Sequence, residues 1–400
     1  MISLSLALLI SIIGLLILIK VKLHPGFAIF AGSLIISFLV FAPSTIPVMM
    51  QQTLIDYQTI RLMVIIASAL TLSYLMEGKG LLAELASAME SINPKLALHF
   101  IPAVIGFVPM PAGALISATA SQGLGKRMGL TAEQGTFINY WFRHIWEPCL
   151  PVYPAIIITS VVLAVPLSSI VTALLPLTAL SITFGAIASY RILKNVRVVK
   201  SESNRNIAHS FVRGAWPILF LIPSVLLGLE AMIAFPLTLA LLAIQQRVKW
   251  SEMKKALKYG LDPKILLLLY SVMLYKATIE SSGAAEAVLM DMQTAGLPAL
   301  VILVVLPFIM GFATGYGPAY AGVAFPLLVP YIALDTGINS SALLLAYASG
   351  LTGLLVSPVH LCLLLSVQYF KANFATVYKY VLPPVLAVEI SIVLIYLLTS

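Results

Sequence analysis

Twice in this chain, about two hundred residues apart, a long apolar stretch is cut by proline and glycine at the same place. Residues 74–113 (YLMEGKGLLAELASAME…IPAVIGFVPMPAG) find a weak partner in 277–318 (ATIESSGAAEAVLMDMQ…LPFIMGFATGYGP), with Glu77 over Glu280, Gly80 over Gly283 and Gly106-Phe107 over Gly311-Phe312. Each half therefore carries one broken hydrophobic segment in the same position. In a bilayer such a break is tolerated only where protein or a water-filled cavity satisfies the freed backbone groups. Interrupted segments at matching positions of two membrane halves point to a transporter's binding site.

Composition supports the membrane reading. Of 400 residues 60% are hydrophobic and only 10% charged, and the mean hydropathy is +1.04; a soluble domain of this make-up would expose apolar surface to water. The first twenty residues lack a basic start and a small-residue cleavage site, and Lys20 and Lys22 follow the apolar run, so they read as a retained first helix. The net charge of +8 is accounted for by basic residues on the cytoplasmic side rather than by a nucleic-acid partner. Cys149 and Cys362 both lie in apolar stretches and predict neither a disulfide framework nor a metal site.

A spanning helix needs about twenty apolar residues. About ten such stretches are present: 2–19, 25–42, 61–77, 134–165, 167–190, 213–229, 231–246, 264–280, 340–370 and 379–398, of which 134–165 and 340–370 are long and broken. Two more, 94–125 and 298–330, are cut by proline and glycine and read as re-entrant hairpins. With the N-terminus external, Lys20, Lys22, Lys79, Lys95, Lys126, Arg127, Lys371, Lys379 and the loops 191–213 and 247–264 all fall in the cytoplasm. Arg61 alone faces outward, and Arg143 and Lys276 stay within the membrane. The expected protein is thus an all-α, multi-pass protein of the cell membrane with both termini external. It has two inverted-topology repeats, 1–190 with an inner hairpin and 213–400 with an outer one, joined by a charged cytoplasmic linker, 191–212.

Four breaks stand out: the hairpin tips at 106–122 and 311–322, and the span interruptions WEPCLPVYP (146–154) and LTGLLVSPVHL (351–361). Half-helix ends at mid-membrane offer partial positive charge to an anion and carbonyls to a cation. NYWFRHIWEP places Asn139, Arg143 and Glu147 along one helical face just before a break. Arg143 is either the structural partner of Glu147 or the anchor of a carboxylate or phosphate, with His144 or Glu147 able to take up a proton. Lys276 and Glu280, at i and i+4, either neutralise each other or serve coupling. His360 follows the Ser357-Pro358 break and is a ligand or proton carrier. Ser117 and Thr119 on the inner hairpin, with Ser121 and Gln122, and Thr314 and Tyr316 on the outer one, with Tyr320, are uncharged donors suited to ligand oxygens.

Two inverted five-span halves, each with a hairpin and a broken span, resemble the ion-transporter superfamily, which includes dicarboxylate, citrate, gluconate and lactate permeases. GFVPMPAGALISA and NYWFRHIWEP are similar to integral membrane proteins described as gluconate-permease-like. The resemblance implies a secondary transporter that works as a homodimer, with a scaffold part and a mobile part that carries substrate in an elevator motion. Neither hairpin tip carries the Ser-Asn-Thr motif of the dicarboxylate branch.

The expected function is secondary transport of a small anionic solute, an organic acid, coupled to H⁺ or Na⁺. Asn139, Arg143, Ser117, Thr119, Thr314, Tyr316, Ser357 and His360 would bind substrate, and His144, Glu147, Lys276 and Glu280 would serve coupling. Apart from the coupling ion no cofactor is expected. A cation/proton antiporter using Glu77, Glu147 and Glu280 is the main alternative. A membrane enzyme is suggested by His144 and Glu147 at i, i+3 with His360, but metal chemistry wants at least three converging ligands, and the nearby candidate, Cys149, lies beyond the Pro148 break. A channel is disfavoured by the paired gates, and nucleotide-driven transport by the lack of a GxxxxGK[ST] run.

Overall fold

Proline, glycine and polar caps divide the chain into helices. The computed structural model describes residues 3–85, 93–107, 113–194, 207–334 and 337–399. The first half contains α1 (Leu4–Lys20), α2 (Pro25–Val40), α3 (Thr45–Ile55), α4 (Tyr57–Gly78), α5 (Pro94–Ile105), α6 (Gly113–Arg127), α7 (Ala132–His144), α8 (Pro154–Val162) and α9 (Leu167–Leu193). The second contains α10 (Ile207–Leu226), α11 (Ala231–Gln245), α12 (Trp250–Gly260), α13 (Pro263–Ser282), α14 (Ala284–Thr294), α15 (Ala299–Thr314), α16 (Gly317–Ile332), α17 (Ser340–Leu355), α18 (Leu361–Phe370) and α19 (Phe374–Thr399). A two-residue antiparallel ladder, β1 (Ala333–Leu334) with β2 (Gly337–Ile338), joins α16 to α17. The hairpin tip at 108–112 and most of the expected linker, 195–206, lie outside the described residues.

Four helices are long and apolar enough to cross a membrane among the described residues: α4, α9, α19 and the α12–α13 stretch Trp250–Ser282. The expected spans 2–19 and 25–42 are represented by helices of 17 and 16 residues. At 1.5 Å per residue these measure about 24–26 Å, somewhat less than a hydrocarbon core of about 30 Å. Between the expected spans 25–42 and 61–77 lies the helix α3, which buries Ile46, Met49 and Thr53, and after the span 264–280 lies α14, which buries Ala284 and Ala285. Each has 11 residues, too few to span.

The local signals at the breaks are physical. Thr131 caps α7: its hydroxyl accepts from the Gln134 N–H, and the Gln134 side chain accepts from the Thr131 N–H. Pro148 has no N–H for the His144 carbonyl four residues back, and α7 ends at His144. Pro154 then opens α8 at a position where the missing N–H costs nothing. On the other side α15 stops at Gly315, whose φ of 58° suits a glycine.

Packing places the broken elements together. Matching helices in the two halves of the chain pack alike, α5 on α7 and α15 on α17. Glycine makes both contacts close: a Cβ on Gly106 would overlap the Arg143 carbonyl, and one on Gly311 would overlap the Gly350 carbonyl. Across the halves, α8 packs on α16 while α18 packs on α6 and α7. Residues that the charge pattern assigns to one side also meet one another. Lys79 pairs with Glu252 at 2.8 Å and Arg213 with Glu84 at 3.5 Å, while Arg61 pairs with Glu230 at 3.2 Å.

Candidate functional site

The two span breaks and the two hairpins converge on one another through their half-helix ends. Tyr153 is the N-cap of α8, and its hydroxyl donates to the carbonyl of Gly106, the C-cap of α5. His360 is the N-cap of α18, and its Nδ1 lies 2.6 Å from the carbonyl of Gly315, the C-cap of α15. In both halves, then, the residue that starts the second part of the broken span holds the residue that ends the first hairpin helix. Each bond satisfies a carbonyl that the helix end leaves without an intrahelical partner.

Arg143 lies between the arms of the first hairpin. It is 4% exposed, its Nη1 donates to the Ile105 carbonyl at 3.2 Å, and its guanidinium packs directly over Gly113, the first residue of α6. Only a glycine leaves room there. Asn139, one turn earlier, donates from Nδ2 to the Ala114 carbonyl at 3.1 Å and to Ser366 Oγ at 2.9 Å, while its buried Oδ1 has no partner among the described residues.

The next residue opens a second cluster. His144, 4% exposed, places Nδ1 2.6 Å from the Tyr140 carbonyl and Nε2 3.1 Å from His360 Nε2. Glu147 does not continue the Asn139–Arg143 line. It lies in the turn after α7, and its Oε1 stands 3.8 Å from His144 Nε2. Cys362, in the first turn of α18, brings Sγ to within 4.8 Å of both imidazoles' ligand atoms. Tyr140 closes one wall, with its ring centroid 4.7 Å from that of His144 and its hydroxyl on the Leu355 carbonyl.

Other expected site residues fall around or away from this centre. Ser357 donates to the Phe312 carbonyl at 2.6 Å and joins the second break to the second hairpin. Thr314 is buried, donates to Met310 O at 2.7 Å and accepts from the Tyr316 N–H, whereas the Tyr316 ring is exposed. Ser117 is buried and spends its hydroxyl on Ala114 O; Thr119 is exposed and bonds Leu115 O. Lys276 and Glu280 pair at 3.2 Å beside Met49, Gln52 and Asp56, lining a separate cavity of about 250 Å³. A larger crevice of about 530 Å³ between α5 and α9 is lined mainly by apolar side chains, together with His99, Ser189, Lys95 and Lys194.

Sequence reasoning did not select Tyr140, Tyr153 or Ser366, whose roles are contacts to distant carbonyls and side chains. It also passed over Glu389 of α19, which accepts from Ser349 at 2.6 Å and Thr352 at 2.9 Å. A lone acid in an otherwise uncharged apolar run was the available signal for Glu389. Cys362, which the sequence places in an apolar stretch, is the cysteine that stands beside the two histidines.

Sequence comparison with curated proteins finds no match. Among solved structures the fold is similar to that of the Alcanivorax borkumensis YdaH transporter, whose crystal structure is described as revealing an unusual topology. The TM-score is 0.59 at 12% identity, over 83% of this chain and 84% of that one, so the likeness is one of fold. Residues 2–399 match a single family, and the chain belongs to it: the family described as "Protein of unknown function (DUF401)".

Proposed function

We propose that this membrane protein is a secondary active transporter of a small anionic solute, an organic acid, driven by H⁺ or Na⁺. The observation that carries the reading is the buried Arg143 guanidinium set between Ile105 at the end of α5 and Gly113 at the start of α6. A charge at that depth is costly unless it faces a partner or a cavity, and a planar guanidinium suits a carboxylate. The fold similarity to a transporter agrees with this reading. Arg143 anchors the anion in this scheme, Asn139 with Ser117, Thr314 and Ser357 shapes its surroundings, and His144, Glu147 and His360 serve coupling.

The architecture belongs to the same proposal. About ten spans and two re-entrant hairpins form two inverted repeats, 1–190 and 213–400, in a gluconate-permease-like arrangement. The paired α5–α7 and α15–α17 contacts, the matching Tyr153–Gly106 and His360–Gly315 bonds, and the equal lengths of 11 residues for α3 and α12 support it. Both termini are external, the working unit is a homodimer, and one part of each protomer moves past the other in an elevator motion.

The test is thermal unfolding of the purified protein with small carboxylates, phosphate and inorganic anions, each with and without Na⁺ and at two pH values. A ligand at a hundredfold its Kd adds about 2.7 kcal/mol to the folded state. One organic acid should stabilise the wild type, and Arg143→Ala should remove that response while remaining folded. A response to Na⁺ or pH alone, with every anion silent, would replace this reading by cation/proton exchange.

A further inference from the structure

We infer that His144, His360 and Cys362 form a binding site for a divalent transition-metal ion, of which Zn²⁺ is the best match. The inference goes beyond the anion-transport reading and stands on donor geometry alone. Both Nδ1 atoms face backbone carbonyls at 2.6 Å, Tyr140 O for His144 and Gly315 O for His360. A carbonyl can only accept, so both rings carry a proton on Nδ1, and each neutral ring presents its Nε2 lone pair. The two Nε2 atoms stand 3.1 Å apart. Two neutral rings at that separation need a positive charge between them, either a proton shared between the rings or a metal ion, and the thiol beside both favours the metal.

The surrounding atoms specify which cation. Zn–N bonds of about 2.0–2.1 Å in a tetrahedron separate two nitrogens by roughly 3.3 Å, close to the 3.1 Å found. Cys362 Sγ lies within 4.8 Å of both ring donors, and Glu147 Oε1 is 3.8 Å from His144 Nε2. Two imidazoles and a thiolate form a borderline-soft set suited to zinc rather than to Na⁺, Mg²⁺ or Ca²⁺, and leave a fourth position open. Backing of each ligating ring by a backbone carbonyl is the usual orienting device of metal-bound histidine.

The donors come from both halves of the chain. His144 ends α7 and Glu147 lies in the turn after it, whereas His360 and Cys362 begin α18. A bound ion therefore fastens the first break to the second. While the ion is bound neither imidazole can take up a proton, so the coupling role proposed above for His144 and His360 belongs to the metal-free protein.

Purified full-length protein, stripped with a chelator, should be titrated with Co²⁺ and then Zn²⁺. The expected result is one Co²⁺ per chain with tetrahedral visible absorption and a thiolate-to-cobalt charge-transfer band, both displaced by Zn²⁺. Cys362→Ser should abolish the charge-transfer band, His360→Ala should weaken binding at least about tenfold, and Cys149→Ala should change neither. A folded wild type that gives no Co²⁺ spectrum, or a band that survives Cys362→Ser, overturns the site. Should Cys362→Ser not fold, alkylation of Cys362 in the Cys149→Ala background replaces it: Zn²⁺ should protect the thiol, and equal rates with and without Zn²⁺ count against the proposal. The readout is metal occupancy, so a protein that binds no anion can still pass, and a cobalt-silent protein that binds an anion sinks this inference alone.

Discussion

Gly113→Ala is the most incisive perturbation of the anion site, because it adds one methyl group and alters no polar atom. An ideal Cβ at this position stands 2.5 Å from Arg143 Cζ and 2.8 Å from Nη1, whereas non-bonded carbons settle at about 3.5–4.0 Å. The guanidinium must therefore retreat by on the order of 1 Å. Its bond from Nη1 to Ile105 O is already 3.2 Å long, and that retreat stretches it past useful range. Overpacking of this kind costs about 1–3 kcal/mol, and a displacement of about 1 Å at a positioned group can lower a rate by roughly a hundredfold. The assay is uptake of the stabilising anion into proteoliposomes, with anion-dependent unfolding measured in parallel. Gly78→Ala is the control, since a Cβ on Gly78 has nothing within 4 Å, and it should leave both readouts unchanged. Wild-type uptake and wild-type anion stabilisation in folded Gly113→Ala would refute the placement of the substrate at Arg143.

Two other outcomes are expected from the contacts that hold the half-helices. Tyr153→Phe leaves the Gly106 carbonyl without its hydroxyl donor, which should lower stability by about 1–3 kcal/mol, read as an earlier thermal unfolding midpoint in detergent. Glu133, at the start of α7 and outside the spans, accepts from the Asn373 N–H at 3.1 Å, and that bond holds its carboxyl below the usual carboxylate range. A lowered folded pKa gives stability that is present above the unfolded value and lost as pH falls through the folded one. Unfolding midpoints followed from neutral pH into the acid range should therefore show a step in the wild type that Glu133→Gln lacks; identical profiles would remove Glu133 from the account.

What the sequence made legible was punctuation. Proline and glycine marked the helix ends at Ile105, His144, Thr314 and Leu355, because their backbone consequences are local. Charge drew attention to Arg143, His144 and Glu147 for a similar reason, since a charged group within an apolar run is conspicuous at once. Contacts made across the chain were not legible. The His144–His360 pair joins residues 216 positions apart, and Cys362 becomes a third donor only because α18 packs against α7. Helical periodicity even misplaced Glu147: its extrapolation from Arg143 assumes a helix that ends at His144, and the carboxylate turns to the imidazole instead.

The proposed repeats share a backbone plan and differ in chemistry, and the difference locates the site. Gly106 abuts the Arg143 carbonyl in the first half, and Gly311 abuts the Gly350 carbonyl in the second. The side chain at the first of these contacts is a guanidinium, and at the second there is none. Likewise the N-cap that reaches the hairpin carbonyl is the phenol of Tyr153 in the first half and the imidazole of His360 in the second. A phenol in that position only fastens the helix ends, whereas an imidazole fastens with Nδ1 and keeps Nε2 for another partner. Duplication accounts for a pair of breaks that can exchange roles, but a binding centre needs unlike groups. The proposed anion site accordingly falls in the first half, at Arg143. The donor cluster belongs to the seam, where α18 of the second half brings His360 and Cys362 up to His144 at the end of α7.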